Sequence, residues 1–210
     1  MTGNEMLSTL GLRVSDPSES SFTQSAKLDA LNIAQKTVVN LVHNGYLSEL
    51  QVIDSNKSMT ANALAFSALT STPIRNGIIA VKKNAGKWAT MIDPGDQKKL
   101  ENTYLAGSAT NPVGYVFSST IYVDGPGATD GIDVWYLKAP AAIGANTNEC
   151  TLNVSLHEAV VDLAESQLWK MDAKADQAAS AYTNAKTQID TLNARYAAEA
   201  PSGIGTKGRA

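Results

Sequence analysis

Between His157 and Tyr196 an apolar seam steps by four and three residues without a break: His157, Val161, Ala164, Leu168, Met171, Ala175, Ala178, Tyr182, Ala185, Ile189, Leu192 and Tyr196. Only an α-helix brings such positions to one face. As a single rod the segment would run roughly 60 Å at about 1.5 Å per residue, more than the diameter of a small domain. The stretch Lys170–Lys174 lacks apolar mass, and Asp172 suits a helix N-cap. The spacing therefore predicts two helices, about 155–170 and 174–197, with one continuous helix as the alternative. Ser155 and Glu158, three apart, predict a capping box at the first helix start. Leu168, Met171, Ala175, Ala178, Tyr182, Ile189 and Leu192 are the expected contacts between helices, the alanines letting backbones approach closely.

The N-terminal part predicts one more helix. Residues 1–22 read as polar and turn-like around Asp16-Pro17. Thr23 then suits an N-cap, and Leu28, Leu31, Ala34, Val38, Leu41 and Val42 form a helical stripe ending at Asn44-Gly45. This places a helix at about 24–43. Residues 61–69 fit either a strand or a helix, and the β-like sequence that follows favours a strand. From 74 to 140 the period becomes two. Gly77–Lys82 and Trp88–Ile92 predict a hairpin across Asn84-Ala85-Gly86. Asp93-Pro94 starts a short helix reaching about Leu105, with Leu100 and Tyr104 on one face. Tyr115–Ser118, Thr120–Val123 and Ile132–Leu137 predict three more strands. The expected fold is α+β: a helical, bundle-like domain from residues 1–59 and 149–200, a small antiparallel β-rich insertion at 60–148, and an extended tail at 201–210.

The reactive inventory is thin. The chain has two histidines, His43 and His157, and one cysteine, Cys150. One cysteine makes no internal disulfide, and a Cys/His zinc site cannot be built without carboxylates. No metal or cofactor is expected. Cys150 precedes a helix but has no well-placed histidine, so it reads as an inert thiol. Gly203–Gly208 spells G-x-G-x-x-G, yet it follows a helix instead of a strand and is no dinucleotide site. Asp124, Asp130 and Asp133 mark a β-connection whose spacing is not that of a calcium loop. Glu158 and Asp162 share a helix face, and His157 has no carboxylate three or four residues later. Lys82, Lys83 and Lys87 form a basic cluster, read as a solvated hairpin tip. Trp88, Trp135 and Trp169 are expected as core or interface anchors.

Net charge is −3, charged residues are only 18%, and 30 residues are alanine. That balance gives no electrostatic reason to expect tight nucleic-acid binding. Low charge with many small residues suits a surface partly covered by other subunits. No apolar run approaches the roughly 20 residues of a membrane span, and Met1–Ser15 lacks a signal-peptide pattern. A soluble protein made in a cytoplasm is the expectation.

Four segments carry a resemblance. Leu28-Asp29-Ala30-Leu31-Asn32-Ile33-Ala34-Gln35 opens a helix after a polar turn. Asn111-Pro112-Val113-Gly114-Tyr115 leads into Thr120-Ile121-Tyr122-Val123-Asp124-Gly125-Pro126. Val134-Trp135-Tyr136-Leu137-Lys138-Ala139-Pro140 forms a strand. Leu156–Ala164, with Ala175–Tyr182 behind it, forms a helix pair. In this order they resemble the head-to-tail adaptor (connector) proteins of tailed bacteriophages. Two features depart from that pattern: the second proline is missing, because Gly127 and then Ala128 follow Pro126, and Ala173 stands where the helix-pair turn has glycine. The resemblance implies a virion structural protein without catalytic residues, located in the phage neck and assembled in the host cytoplasm. It implies a homo-oligomeric ring, typically dodecameric, between the portal protein and a tail, stopper or nozzle protein. Genomic DNA would pass through without sequence-specific binding, and no membrane is involved. Ile204, Lys207 and Arg209 of the tail are the expected contacts with the portal or another neighbour. The rival readings are another phage structural part, such as a tail-completion or minor capsid protein, and a calcium-dependent binding module built on the Asp124–Asp133 loop.

Overall fold

The computed structural model describes residues 1–83, 86–102, 105–125, 131–144 and 149–199. The fold is α+β, and the chain divides into two compact units. One is built from Met1–Glu49 together with the chain from Pro140 onward, and the other from Leu50–Ala139.

The helical unit contains α1 (Gly3–Arg13), α2 (Gln24–Leu41), α3 (His157–Met171) and α4 (Ala175–Glu199). Helix α3 is its centre. Val160, Val161, Ala164 and Leu168 are fully buried, and α1, α2 and α4 all pack on it. Asp162, also buried, joins three of these helices. It accepts from Arg13 of α1 and, at 2.7 Å, from Gln188 Nε2 of α4. Ser166 Oγ donates to Ala178 O across the α3–α4 contact at 2.8 Å. Such reach requires closely spaced backbones, and Ala178, Ala181 and Ala185 on the buried face of α4 allow it.

The expected break between the two C-terminal helices is present. Asp172 ends α3 instead of starting α4. Ala173 is left-handed (φ +57°), its N–H bonds Lys170 O, and the Lys174 N–H bonds Trp169 O. This is a Schellman turn, normally made with glycine. The reversal changes the seam. Leu168, Ala178 and Ile189 are buried and Leu192 is half-buried, but Met171, Ala175 and Tyr182 are exposed. Ala181 is buried one position before Tyr182, so the α4 stripe runs Ala178, Ala181, Ala185, Ile189. The start of α3 also differs from expectation. Asn153 Oδ1, not Ser155, caps a short 3-10 turn at Val154–Leu156 that leads into the helix. Glu158 accepts instead from Arg13.

Helix α1 lies within the segment read as polar turn. A capping box of Thr2 and Glu5 starts it, and Met6, Leu7 and Leu10 bury one face. The Asp16 loop then joins it to α2, which Thr23 caps through its hydroxyl. Asp16 is buried and accepts from the N–H groups of Ser20, Ser21 and Phe22 and from the Ser20 hydroxyl. Lys27 Nζ, equally buried, lies 3.3 Å from its carboxylate and donates to Asp16 O at 2.6 Å. On α2, Asn32 and Gln35 hold the extended segment that returns from the sheet unit. Asn32 bonds both the N–H and the carbonyl of Ile143, and Gln35 Nε2 bonds Ala141 O.

The sheet unit contains β1 (Gln51–Ser58), β2 (Ala63–Ala65), β3 (Pro73–Lys83), β4 (Lys87–Trp88), β5 (Thr90–Met91), β6 (Val113–Phe117), β7 (Thr120–Asp124) and β8 (Gly131–Lys138). They form two four-stranded sheets, ordered β1-β8-β3-β4 and β2-β7-β6-β5. Among the described residues the strand pairings are antiparallel, as expected, with one parallel pair, β5 with β6. Alternate residues of the two sheets share one core: Val81, Ile132, Val134 and Tyr136 with Leu64, Ile121 and Val123. The unit runs from 50 to 139, so it starts before the expected 60, taking in β1, which pairs with β8, and ends before the expected 148. Residues 61–69 split into β2 and a 3-10 turn at Phe66–Ala68, and Pro94–Glu101 is a 3-10 helix. Tyr104, the Asn84-Ala85 turn and Asp130 lie outside the described residues.

Two outcomes test this description. Burial pushes the Asp16 carboxyl upward, but the Phe22, Ser21 and Ser20 donors outweigh it and hold the group well below the usual carboxylate range. A depressed folded value means its stabilisation is fully present above the unfolded value of about 3.9 and drains away as pH falls below it. Asp16→Asn is expected to unfold at markedly lower urea at pH 7 and to lose part of the acid sensitivity, whereas wild-type-like urea curves would contradict this role. Ala173→Gly removes the strain of a left-handed alanine and is expected to stabilise the protein by about 1 kcal/mol in urea denaturation.

Candidate functional site

The side chains with reactive chemistry are committed to structure. His157 is buried, with Nε2 2.8 Å from Leu152 O and Nδ1 2.6 Å from the Met1 amine. His43 stacks on Tyr196 at 3.8 Å and accepts from the Gly45 N–H. Cys150 is buried, and burial pushes its thiol up, opposite to the effect of a helix N-terminus. Asp124 accepts from the Gly107 N–H and Asp133 from the Asn56 N–H. Among the described residues no group of three or more His, Cys, Asp or Glu side chains is placed to hold a metal ion. Asp54 is a buried carboxylate that organises the sheet unit. It accepts from Thr70 N at 2.5 Å and from the Tyr136 hydroxyl, with Lys57 at 3.5 Å. Burial pushes this carboxyl up, while Thr70 and Lys57 pull it further down.

One sheet of the second unit leaves large apolar groups exposed. Along β8, Ile132, Val134 and Tyr136 fill the core, so Trp135 between them lies on the outer face of its sheet. The register sets Ile53 of β1 and Ala80 of β3 on either side of Trp135. A β-bulge follows Ile78: Ile78 packs on the core and Val81 is buried, which leaves Ile79 and Ala80 between them turned outward. Trp88 of β4 lies 4.9 Å from Trp135, with Lys82 Nζ 5.5 Å from the Trp88 ring. Ile53, Ile79 and Trp88 are each about half exposed, at 53%, 47% and 56%. Lys83 stands opposite Lys87 at the end of this hairpin, and Lys82 stands opposite Asp133. The outcome is a sheet face with two indoles and two isoleucines at its centre and Lys82 at one margin; Lys83 and Lys87, in register with the core residue Ile132, lie on the opposite side of the strand pair. Its chemistry suits contact with another macromolecule: apolar burial, indole stacking and cationic pairing.

The helical unit exposes Leu12, Ile33, Leu41, Val154 and Met171. It also has an acidic groove. Glu158, Asp162 and Glu165 converge on Arg13, three carboxylates on one guanidinium, beside Asn184, Thr187 and Gln188 of α4.

Of the tryptophans, Trp169 is a buried anchor whose Nε1 donates to Glu165 at 3.1 Å. Trp135 is half-buried, and Trp88 belongs to the surface. The tail residues Ile204, Lys207 and Arg209, and the Gly203–Gly208 motif, lie outside the described residues. Ile53 and Ile79 were missed as surface residues because alternation in β1 and β3 does not reveal which face is covered, and a bulge shifts the phase in β3. The sequence matches no protein-family model and no curated protein.

Cys150 supplies a check on burial. Its thiol is expected to resist aromatic disulfide reagents at pH 8 in the folded protein and to react fully in urea. Rapid labelling of the native protein would contradict the described packing.

Proposed function

We propose that this chain is a structural assembly protein, a head-to-tail adaptor ring of a tailed bacteriophage that joins the portal to the tail or neck. The observation that carries the reading is the exposed apolar face of the β1-β8-β3-β4 sheet, with Ile53, Ile79 and Trp88 about half exposed around Trp135. Leaving such a patch in water is unfavourable, and monomeric proteins keep such patches small. A covering subunit is the economical explanation. The sequence resemblance to adaptor proteins names the kind of assembly, and the structural commitment of His43, His157 and Cys150 is compatible with it. The net charge of −3 suits a passage that must not grip phosphate. No helix among the described residues is long and apolar enough to cross a membrane.

In this reading the partners are further copies of the chain, the portal protein and a tail, stopper or nozzle protein. Lys207 and Arg209 would reach a neighbour through the C-terminal tail. Native mass spectrometry tests the assembly. One copy weighs 22.1 kDa, and a closed twelve-fold ring would weigh about 265 kDa. Ring-shaped particles at a multiple of the monomer mass are expected, alone or on addition of portal protein. A chain that stays monomeric at high concentration and in the presence of portal would overturn the proposal.

A further inference from the structure

Asn44-Gly45, the pair that ends the α2 stripe in the sequence, is also where the end of α4 is fastened. Asn44 opens the 3-10 segment Asn44–Leu50, shortly after α2. His43 N donates to Asn193 Oδ1 at 2.8 Å, Asn193 Nδ2 donates to Leu41 O at 3.0 Å, and the Tyr46 hydroxyl donates to Leu192 O at 3.1 Å. The His43 ring stacks on Tyr196 at 3.8 Å. Tyr196 also lies against Gly45, and a Cβ at that position would overlap its ring. The packing of α4 therefore requires glycine directly after Asn44.

That requirement has a chemical consequence. Glycine leaves the backbone nitrogen that follows an asparagine unshielded, and this nitrogen is the nucleophile of succinimide formation. Here it also has a base. Gly45 N lies 3.1 Å from His43 Nδ1. A backbone N–H only donates, so Nδ1 directs its lone pair at that proton. The stack on Tyr196 holds the ring in place. His43, Asn44 and Gly45 are all exposed, so water reaches the pair. The second Asn-Gly pair, Asn76-Gly77, differs on both counts. It lies within β3, where a Cβ on Gly77 would stand 2.6 Å from Ile74 O and 3.2 Å from Leu137 Cβ, and its sequence neighbours include no histidine.

We infer that Asn44 is a site of spontaneous covalent modification, deamidation through a succinimide, with His43 as the base. His43 Nδ1 takes the Gly45 amide proton, and the Gly45 nitrogen attacks Asn44 Cγ. The N–Cγ bond forms and the Cγ–Nδ2 bond breaks. The leaving nitrogen takes the proton from the imidazole and departs as ammonia. Water then opens the cyclic imide at either carbonyl and leaves aspartate or isoaspartate. Isoaspartate adds a methylene to the main chain between His43 and Gly45, together with a negative charge. Both neighbours are bound to α4, so the change moves Gly45 from its seat against Tyr196 and loosens the end of α4. The site is a timer within the helical unit, and it does not depend on the ring reading.

The experiment ages the full-length chain at neutral pH in heavy-oxygen water. Tryptic peptides are read by mass spectrometry, and isoaspartate is counted with an isoaspartate methyltransferase. Asn44 is expected to take up label well ahead of Asn76. His43→Phe keeps a ring against Tyr196 but has no base, and it is expected to slow the native reaction roughly a hundredfold, the low end of what a positioned base contributes. In urea, where the ring is no longer held on Gly45, the two chains are expected to react alike. Asn44→Ala, at an exposed position, removes the site, and amide hydrogen exchange over residues 190–199 is expected to quicken with age in the wild type alone. Asn76 reacting as fast as Asn44, a folded His43→Phe chain reacting at the wild-type rate, or a His43 effect that persists in urea would each overturn the inference. Should His43→Phe not fold, the comparison of Asn44 with Asn76 and the exchange of aged wild type against Asn44→Ala still decide it, and unchanged exchange overturns the loosening of α4.

Discussion

A helix with apolar groups on almost every side cannot rest against a single neighbour, and α3 is such a helix. Ten of its fifteen residues are buried, including Val160, Val161, Leu163, Ala164 and Leu168. Helices α1 and α2 arrive from the start of the chain and α4 from its end, so the helical unit cannot be completed until both parts are present. The polar groups carried inside with α3 are matched for the same reason. An unpaired buried carboxylate is costly, and Asp162 is met by Arg13 from α1 and Gln188 from α4. The buried Asp16–Lys27 pair has the same logic at the α1–α2 junction, where the carboxylate gathers the loop N–H groups that would otherwise be stranded.

The helices and most strands were legible where one periodicity dominated. Thr23 and the Leu28–Val42 stripe located α2, and alternation located β7 and β8. The expected break near Asp172 was found, although the residue has a different role. What escaped has physical causes. Helix α1 is short, and its cap, Thr2 with Glu5 three residues later, was a readable signal overshadowed by the polar residues around it. The seam from 157 to 196 kept its phase across the turn. Yet the reversal at Ala173 rotates α4 about its axis relative to a continuous rod, so Ala175 and Tyr182 face water, as does Met171 at the end of α3. The Asn32 and Gln35 side chains looked like part of a helix opening. Their work is tertiary, since their amides hold the backbone of residues 141–143 more than a hundred positions away.

The candidate surface was legible only in pieces. The tryptophans and the lysine cluster stood out as residue types, and the indoles were expected as core or interface anchors. Which indole is which depends on strand register, and register depends on pairing with β8, which lies far along the chain. A one-residue bulge after Ile78 then decides which aliphatic groups reach the outside. Local sequence carries neither fact.

The pairing of β1 with β8 has a consequence for how such a chain can change. Gln51 stands opposite Leu137, so the chain enters and leaves the sheet unit at points about 5 Å apart on adjoining strands. The whole of residues 50–139 is thus a detachable loop on a two-strand stem. Its two ends meet on neighbouring strands, so the residues between them can lengthen, shorten or be exchanged at a pair of closely spaced chain positions.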